Sequence, residues 1–290
     1  MKTAVLGAGK MGVWFAKWCK EMGDTVVLAD RNPAKLAKFG GELGVETADF
    51  SAAVLGADRV LICVSISSFE EIVKKISPAI HQGQPIMDVC SIKEFPVNVM
   101  HQYLNGALVL GTHPIFGPGS NGVKHKAYVL TPTNPKEAAY AEKFKAWLEK
   151  EEAHVFIMTP QKHDELVSII LGFPHFLGLA ACETLLEQPS FPESKKLAGT
   201  TYRMLFTLAE AVAMETPDLY SNVQTKLAGL GKMEELFIAK AQGWLDLMKK
   251  KDSPAIMARM ALLREKLAKV DSEYGKSYET MYKMLQSTEE

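Results

Sequence analysis

Two periodicities divide the chain. Up to about Met158, short apolar runs alternate with stretches in which apolar residues recur every three or four positions. Lys2 to Leu6, Thr25 to Ala29, Arg59 to Val64, Gln84 to Val89, Ala107 to Leu110, Ala127 to Thr131 and His154 to Met158 read as strands. Val13 to Met22, Pro33 to Leu43, Ser67 to Ile76 and Pro135 to Glu149 read as helices between them. Strands that alternate with helices predict a parallel, doubly wound sheet. From Thr159 the strand pattern stops. Thr159-Pro160 is a capping hydroxyl followed by proline at the first helical position, and Pro174 should kink the helix that follows. Further helices are predicted over Glu193 to Met214, Pro217 to Leu227, Met233 to Lys249 and Pro254 to Leu285. The expected fold class is α/β: residues 1–158 form the sheet domain, and residues 159–290 an all-helical second domain.

The first strand runs straight into Gly7-Ala8-Gly9-Lys10-Met11-Gly12 and then a helix. This is G-x-G-x-x-G in the context that binds a dinucleotide, a Rossmann-type fingerprint. Gly7 allows the tight turn, Gly9 lets a diphosphate near the backbone, and Gly12 lets helix and strand pack closely. The N–H groups at Lys10 and Met11 then face the anion at the helix N-terminus. Asp30 ends the second strand, about twenty positions on, where a carboxylate grips the adenosine ribose. Arg31 could pair with a 2′-phosphate or stack on adenine. Asp30 would repel a 2′-phosphate, which favours NAD over NADP. Ser65, just past the strand Arg59 to Val64, should line the nicotinamide side.

The run Ala107 to Leu110 enters Gly111-Thr112-His113-Pro114-Ile115-Phe116-Gly117-Pro118-Gly119, read as a loop. A histidine delivered there stands where ligands bind in open α/β sheets, at the carboxyl ends of the strands. Ser91 and Lys93 leave the sheet at the same edge. A serine hydroxyl can orient an imidazole, and a lysine can hold a carboxylate. Each has a plainer reading: His113 satisfying loop carbonyls, Ser91 capping a helix from near Phe95, Lys93 solvated.

Hydrophobic residues make up 47% and charged residues 23%, enough apolar material for a sizeable core. A net charge of −1 gives no global pull toward nucleic acid or membrane. No stretch is expected to approach the roughly 18 apolar residues of a membrane span. Cys19, Cys63, Cys90 and Cys182 show no C-x-x-C spacing and read as reduced thiols of a cytoplasmic protein. No metal-ligand cluster is expected, since His163 and His175 lack metal spacing. The broad apolar faces of the second half, such as Met257, Met260, Leu263 and Leu267, suggest core or a dimer contact.

The fingerprint, Asp88-x-x-Ser91-x-Lys93, Thr112-His113-Pro114-x-Phe116-Gly117-Pro118, His163-Asp164 and Pro174-His175 resemble, in order, the prephenate dehydrogenases, over nearly the whole chain. The resemblance implies NAD-dependent oxidative decarboxylation of prephenate in tyrosine biosynthesis, by a cytoplasmic homodimer joined through its helical domain. It implies that His113 acts on the ring hydroxyl with Ser91 supporting it, and that Lys93, His175 and Arg203 neutralise the dianionic substrate. Arogenate as substrate, a β-hydroxyacid-type dehydrogenase that uses a lysine at the reacting carbon, and a cofactor-binding sensor without turnover stay open as alternatives. No additional regulatory module is expected after Leu227.

Overall fold

The computed structural model describes residues 1–286 as two compact units. The first opens with β1 (Lys2–Leu6), α1 (Lys10–Glu21), β2 (Thr25–Ala29), α2 (Pro33–Leu43), β3 (Glu46–Ala48), α3 (Phe50–Leu55), β4 (Arg59–Ile62) and α4 (Ile66–Ile76). It continues with β5 (Pro85–Asp88), α5 (Glu94–Tyr103), β6 (Leu108–Pro114), β7 (Ala127–Thr131), α6 (Pro135–Lys150), β8 (His154–Ile157) and α7 (Pro160–Val167). The sheet order is β3-β2-β1-β4-β5-β6-β7-β8. All neighbours are parallel except β6 and β7, which run antiparallel, so the sheet is mixed at one side. The direction of chain winding reverses between β1 and β4, the crevice where doubly wound sheets bind ligands.

Local chemistry sets the helix boundaries. Asn32 accepts from the N–H groups of Ala34 and Lys35 ahead of Pro33, and Gly44 ends α2 in the left-handed conformation. Asn134-Pro135 repeats the start at α6. One apolar core joins α1, the sheet and α6 through Phe15, Trp18, Leu28, Met87, Leu110, Tyr128 and Phe144.

The structure departs from the sequence expectation in three places here. β3 and α3 fill a stretch to which no element had been assigned. β6 runs on through Pro114, so His113 is a strand residue, not a loop residue. The units also divide elsewhere than at residue 158. The first contains Met1–Val167 and Pro217–Ala228, the second Ser168–Thr216 and Gly229–Glu290. α7 stays with the sheet because it buries Pro160, His163, Asp164 and Val167. α11 (numbered in chain order, Pro217–Lys226) stays there because it packs on α4 and buries Val223.

The second unit opens with a π-helical turn, Ser168–Gly172, and α8 (Phe173–Leu186). Pro174 follows that π-helical turn inside one continuous helical stretch, Pro160 to Leu186, where the widened turn makes room for its ring and missing N–H. α9 (Phe191–Ser194), α10 (Thr200–Met214), α12 (Leu230–Lys249), α13 (Ser253–Val270) and α14 (Ser277–Gln286) complete the unit. The single long helix expected to the C-terminus is broken after Val270. Gly178 of α8 lies against Val212 of α10.

Pro160–Leu186 includes an 18-residue window of mean hydropathy 1.7, long and apolar enough by composition to cross a membrane. This corrects the expectation that no stretch approaches a membrane span; Lys162, Asp164, Glu165, His175 and Glu183 interrupt the run without lowering its mean hydropathy enough to exclude it. Only 28% of that window is buried, and Ile169, Ile170, Leu179 and Leu186 are exposed. Val167 is buried in the first unit, and the Gly178 side of α8 packs on α10 in the second.

Candidate active site

The glycine fingerprint closes as its spacing requires. Gly7 has φ +112°, and a Cβ there would stand 2.6 Å from the Cys63 carbonyl oxygen. A Cβ at Gly12 would stand 1.7 Å from the Gly7 oxygen, so α1 can approach β1 only with glycine there. Gly9, by contrast, faces open space. A cavity of about 520 Å³ is lined by Gly9, Lys10, Val13, Lys35, Phe39 and Gly119. Met11 follows Lys10 in the first turn of α1, so free N–H groups and two lysines converge where a diphosphate would sit. These residues fit a dinucleotide.

Asp30 stands at the end of β2. Its carboxylate accepts from the N–H of Ala8 at 2.7 Å and of Asn32 at 2.8 Å. It thus ties the glycine loop to the second strand, and each oxygen keeps a further lone pair for a hydroxyl. Arg31 beside it is exposed. Ser65 is the exposed N-cap of α4, across the crevice from the glycine loop, with its hydroxyl 3.1 Å from that of Ser67.

A second cluster lies at the carboxyl ends of β5 and β6. Asp88 has no exposed surface and gathers its neighbours: it accepts from the N–H of Cys90 at 2.9 Å and of Thr112 at 3.3 Å. The Thr112 hydroxyl donates to the Asp88 carbonyl at 2.6 Å. The Lys93 ammonium donates to the Asp88 carboxylate and to the Thr112 carbonyl. Burial pushes the Asp88 carboxyl up from its ordinary range, and Lys93 opposes that push.

Lys93 was expected to hold a substrate carboxylate. Instead its side chain is wholly buried and its ammonium is committed to Asp88 and Thr112. An ammonium removed from water needs such partners, and a lysine so committed is unavailable to a ligand.

His113 is 8% exposed, and its Nδ1 lies 2.8 Å from Nε2 of His163. His163 Nδ1 lies 2.7 Å from Asp164 Oδ1. Asp164 also accepts the N–H groups of Lys93 at 2.7 Å and Glu94 at 2.9 Å. It thereby does for α5 what an N-cap side chain does, from a different helix. Ser91 was expected to orient the imidazole. It is half-buried, and the Nδ1 side of the His113 ring is occupied by His163. Burial, then His163, then Lys93 hold the His113 ring well below the ordinary imidazole range. Burial likewise lowers His163, against the pull of Asp164.

His163 and Asp164 are the site residues that sequence reasoning left without a role. Fifty positions separate His163 from His113, and no local pattern links them. The available signal was an adjacent His-Asp pair in a first helical turn.

The second unit carries the other two expected substrate ligands. His175 on α8 is buried and its ring is pushed down to about 4 by burial, against Glu215. With no ligand bound the ring is therefore neutral near pH 7. Arg203 on α10 lines a cavity of about 370 Å³ with Lys195, Tyr202, Phe206, Thr207 and Glu210.

A glycine loop opening on a cavity of about 520 Å³, and a buried histidine at the same sheet edge, mark a dinucleotide-binding α/β class. The chain belongs to the prephenate dehydrogenase family. Residues 15–158 match the family's "nucleotide-binding domain" and residues 159–287 its "dimerization domain". It is 31% identical over 250 residues to a "Probable arogenate/prephenate dehydrogenase" of Methanocaldococcus jannaschii, covering 85% of this chain and 56% of that protein. It is 24% identical to a "Prephenate dehydrogenase" of Bacillus subtilis, covering 59% and 50%. The chain thus spans about half the length of these curated relatives. Its fold is similar to that of the Aquifex aeolicus prephenate dehydrogenase crystallised with hydroxyphenyl propionate and NAD+, with TM-score 0.77, 22% identity and coverage of 93% and 98%. Synechocystis arogenate dehydrogenase gives TM-score 0.74 at 20% identity, covering 93% and 100%.

Proposed function

We propose that the chain is an NAD-dependent dehydrogenase that converts prephenate to 4-hydroxyphenylpyruvate in tyrosine biosynthesis, with His113 as the base. The observation that carries this reading is His113 itself: a neutral, buried imidazole at the end of β6, on the sheet edge that also bears the glycine loop. Bound there, the nicotinamide would accept hydride from substrate C4 while the ring carboxylate leaves as carbon dioxide and the ring becomes aromatic. His113 would take the proton of the C4 hydroxyl as the carbonyl character develops, then return it to the phenolate oxygen. A neutral imidazole can accept that proton near pH 7, and the imidazolium so formed can return it. Of the three cations expected for the substrate, Lys93 is committed and His175 is neutral with no ligand bound. Arg203 is the charged member that lines a cavity.

A Lys-based dehydrogenase could not use Lys93, whose ammonium is committed to Asp88. Arogenate keeps a specific claim, since the Methanocaldococcus relative is named for both substrates. The test is nicotinamide absorbance with prephenate and with arogenate, each with NAD and with NADP. Prephenate with NAD is expected to turn over fastest. Asp30→Ser should lower the preference for NAD over NADP several-fold, because the carboxylate that repels a 2′-phosphate is gone. A native enzyme several-fold faster with NADP would overturn the cofactor assignment and shift the weight to Arg31 and Lys35.

We also propose a homodimer. Met257, Met260, Leu263 and Leu267 of α13 are 46 to 61% exposed, and no residue of that helix is buried. An apolar helix face left in water within a segment matching a dimerization domain calls for a second copy. Light scattering at micromolar concentration should give twice the chain mass, and a monomer would refute this. All four cysteines are free thiols, which supports the cytoplasm as the compartment.

A further inference from the structure

The hydrogen bonds around His113 have a direction, which can be fixed from their far end. Asp164 Oδ1 accepts the Lys93 N–H, and Oδ2 accepts the Glu94 N–H. A carboxylate whose two oxygens collect backbone donors acts as an acceptor, so in its 2.7 Å bond His163 Nδ1 carries the proton. Burial keeps the His163 ring neutral near pH 7. Its Nε2 therefore has a lone pair and can only accept. The 2.8 Å bond to His113 Nδ1 must then be donated by His113. In a neutral ring this leaves the lone pair on Nε2.

We infer that His163 and Asp164 are positioning residues that lock His113 in the Nδ1–H tautomer, making Nε2 the nitrogen that receives the substrate proton. The inference rests on the reading of His113 as the base. It matters because the other tautomer would present an N–H to a hydroxyl that has to give up its own proton. A ring held in the wrong tautomer loses catalysis even with its geometry intact.

The other groups facing this relay do not disturb it. Lys93 at the start of α5 is paired with Asp88 at the end of β5. Its positive charge pushes His113 the same way as burial does. Tyr128 on β7 and Cys90 after β5 act on Asp88 rather than on the two rings, and burial pushes both up so that they stay protonated. Glu94 enters through its backbone N–H. None of these groups offers a proton that would convert either ring to the imidazolium.

The test uses the full chain labelled with ¹⁵N at histidine. Imidazole ¹⁵N shifts near pH 7.5 should show both His113 and His163 protonated on Nδ1. Asp164→Asn is expected to move His113 toward the Nε2–H form. It should also lower kcat by about 10²- to 10⁴-fold with KM changed little, the signature of a defect felt in the transition state. His163→Gln, whose amide oxygen can still accept the Nδ1–H, should retain more kcat than His163→Leu. A wild-type His113 protonated on Nε2 would overturn the inference. So would an Asp164→Asn enzyme with unchanged tautomer and kcat. The wild-type spectrum decides even if the variants do not fold. The spectrum is also independent of turnover. If His113→Asn kept its kcat, the base assignment would fall while the tautomer result stood, so the two failures are distinguishable.

Discussion

His113→Asn is expected to cut kcat by about 10²- to 10⁴-fold and to leave KM within a few-fold, the usual weight of one general base. Asparagine is close to histidine in size and keeps a hydrogen-bonding group near Nδ1, so His163 retains a partner. It cannot take up a proton near neutral pH. The wild-type pH profile carries a second expectation. The ring works as a base in its neutral form, so the rate falls as pH drops through its pKa. Burial, His163 and Lys93 all hold that pKa well below 6.5. The rate should therefore stay level through pH 6.5, where an exposed histidine would already show its acid limb. The limb should appear only at lower pH, and it should be missing from the residual activity of the variant. A His113→Asn enzyme with near-normal kcat would remove the assignment. A wild-type limb centred at 6.5 would contradict the buried, cation-flanked ring.

The half of the site that binds cofactor was legible because backbone geometry writes itself into sequence. Gly7 and Gly12 stand where a Cβ would meet carbonyl oxygens, so their spacing reports the turn and the close packing directly. Strands such as β1, β2 and β4 are continuous apolar runs buried on both faces, the easiest pattern to read. β3 was missed because Glu46-Thr47-Ala48 is short and largely exposed. β6 was cut short because Gly111 and Pro114 resemble loop punctuation. The antiparallel turn of β7 leaves no mark in composition. Its strand is the same buried apolar run whichever way it runs.

The His113 half of the proposed site was legible in its residue types but not in its connections. Ser91 and Lys93 were assigned by proximity in sequence to the sheet edge, which says nothing about where a side chain ends. The ring of His113 is served instead by a helix fifty residues further on. That partner could not be seen until α7 was found packed in the first unit. The expected domain boundary failed for the same reason. Periodicity changes at Thr159, but packing does not follow periodicity, and α7 and α11 are helices that belong to the sheet.

Lys93→Met is the sharpest test of that correction, because the two roles for Lys93 predict opposite readouts. Methionine keeps most of the buried stem and removes the ammonium. Asp88 would then be a carboxylate with no exposed surface and no cation, and Thr112 would lose a donor to its carbonyl. Breaking a buried ion pair by removing one partner costs about 3–5 kcal/mol. In a unit of this size that should lower Tm by roughly 10 °C. The pH dependence fixes the cause. Without Lys93 the Asp88 carboxyl is raised further in the folded state, so the folded state holds its proton more tightly than the unfolded one. Stability of the variant is then greatest at low pH and falls as pH rises from the ordinary carboxylate range through the raised value. The deficit relative to wild type should shrink as the solution is acidified, by calorimetry at several pH values. Asp88→Asn in the Lys93→Met background should recover part of the loss, since it removes the stranded charge. A lysine that held a substrate carboxylate would behave differently. Its loss would raise KM many-fold and leave Tm nearly unchanged at every pH. That result would return Lys93 to the substrate and break the account of Asp88 as the buried hub of β5 and β6.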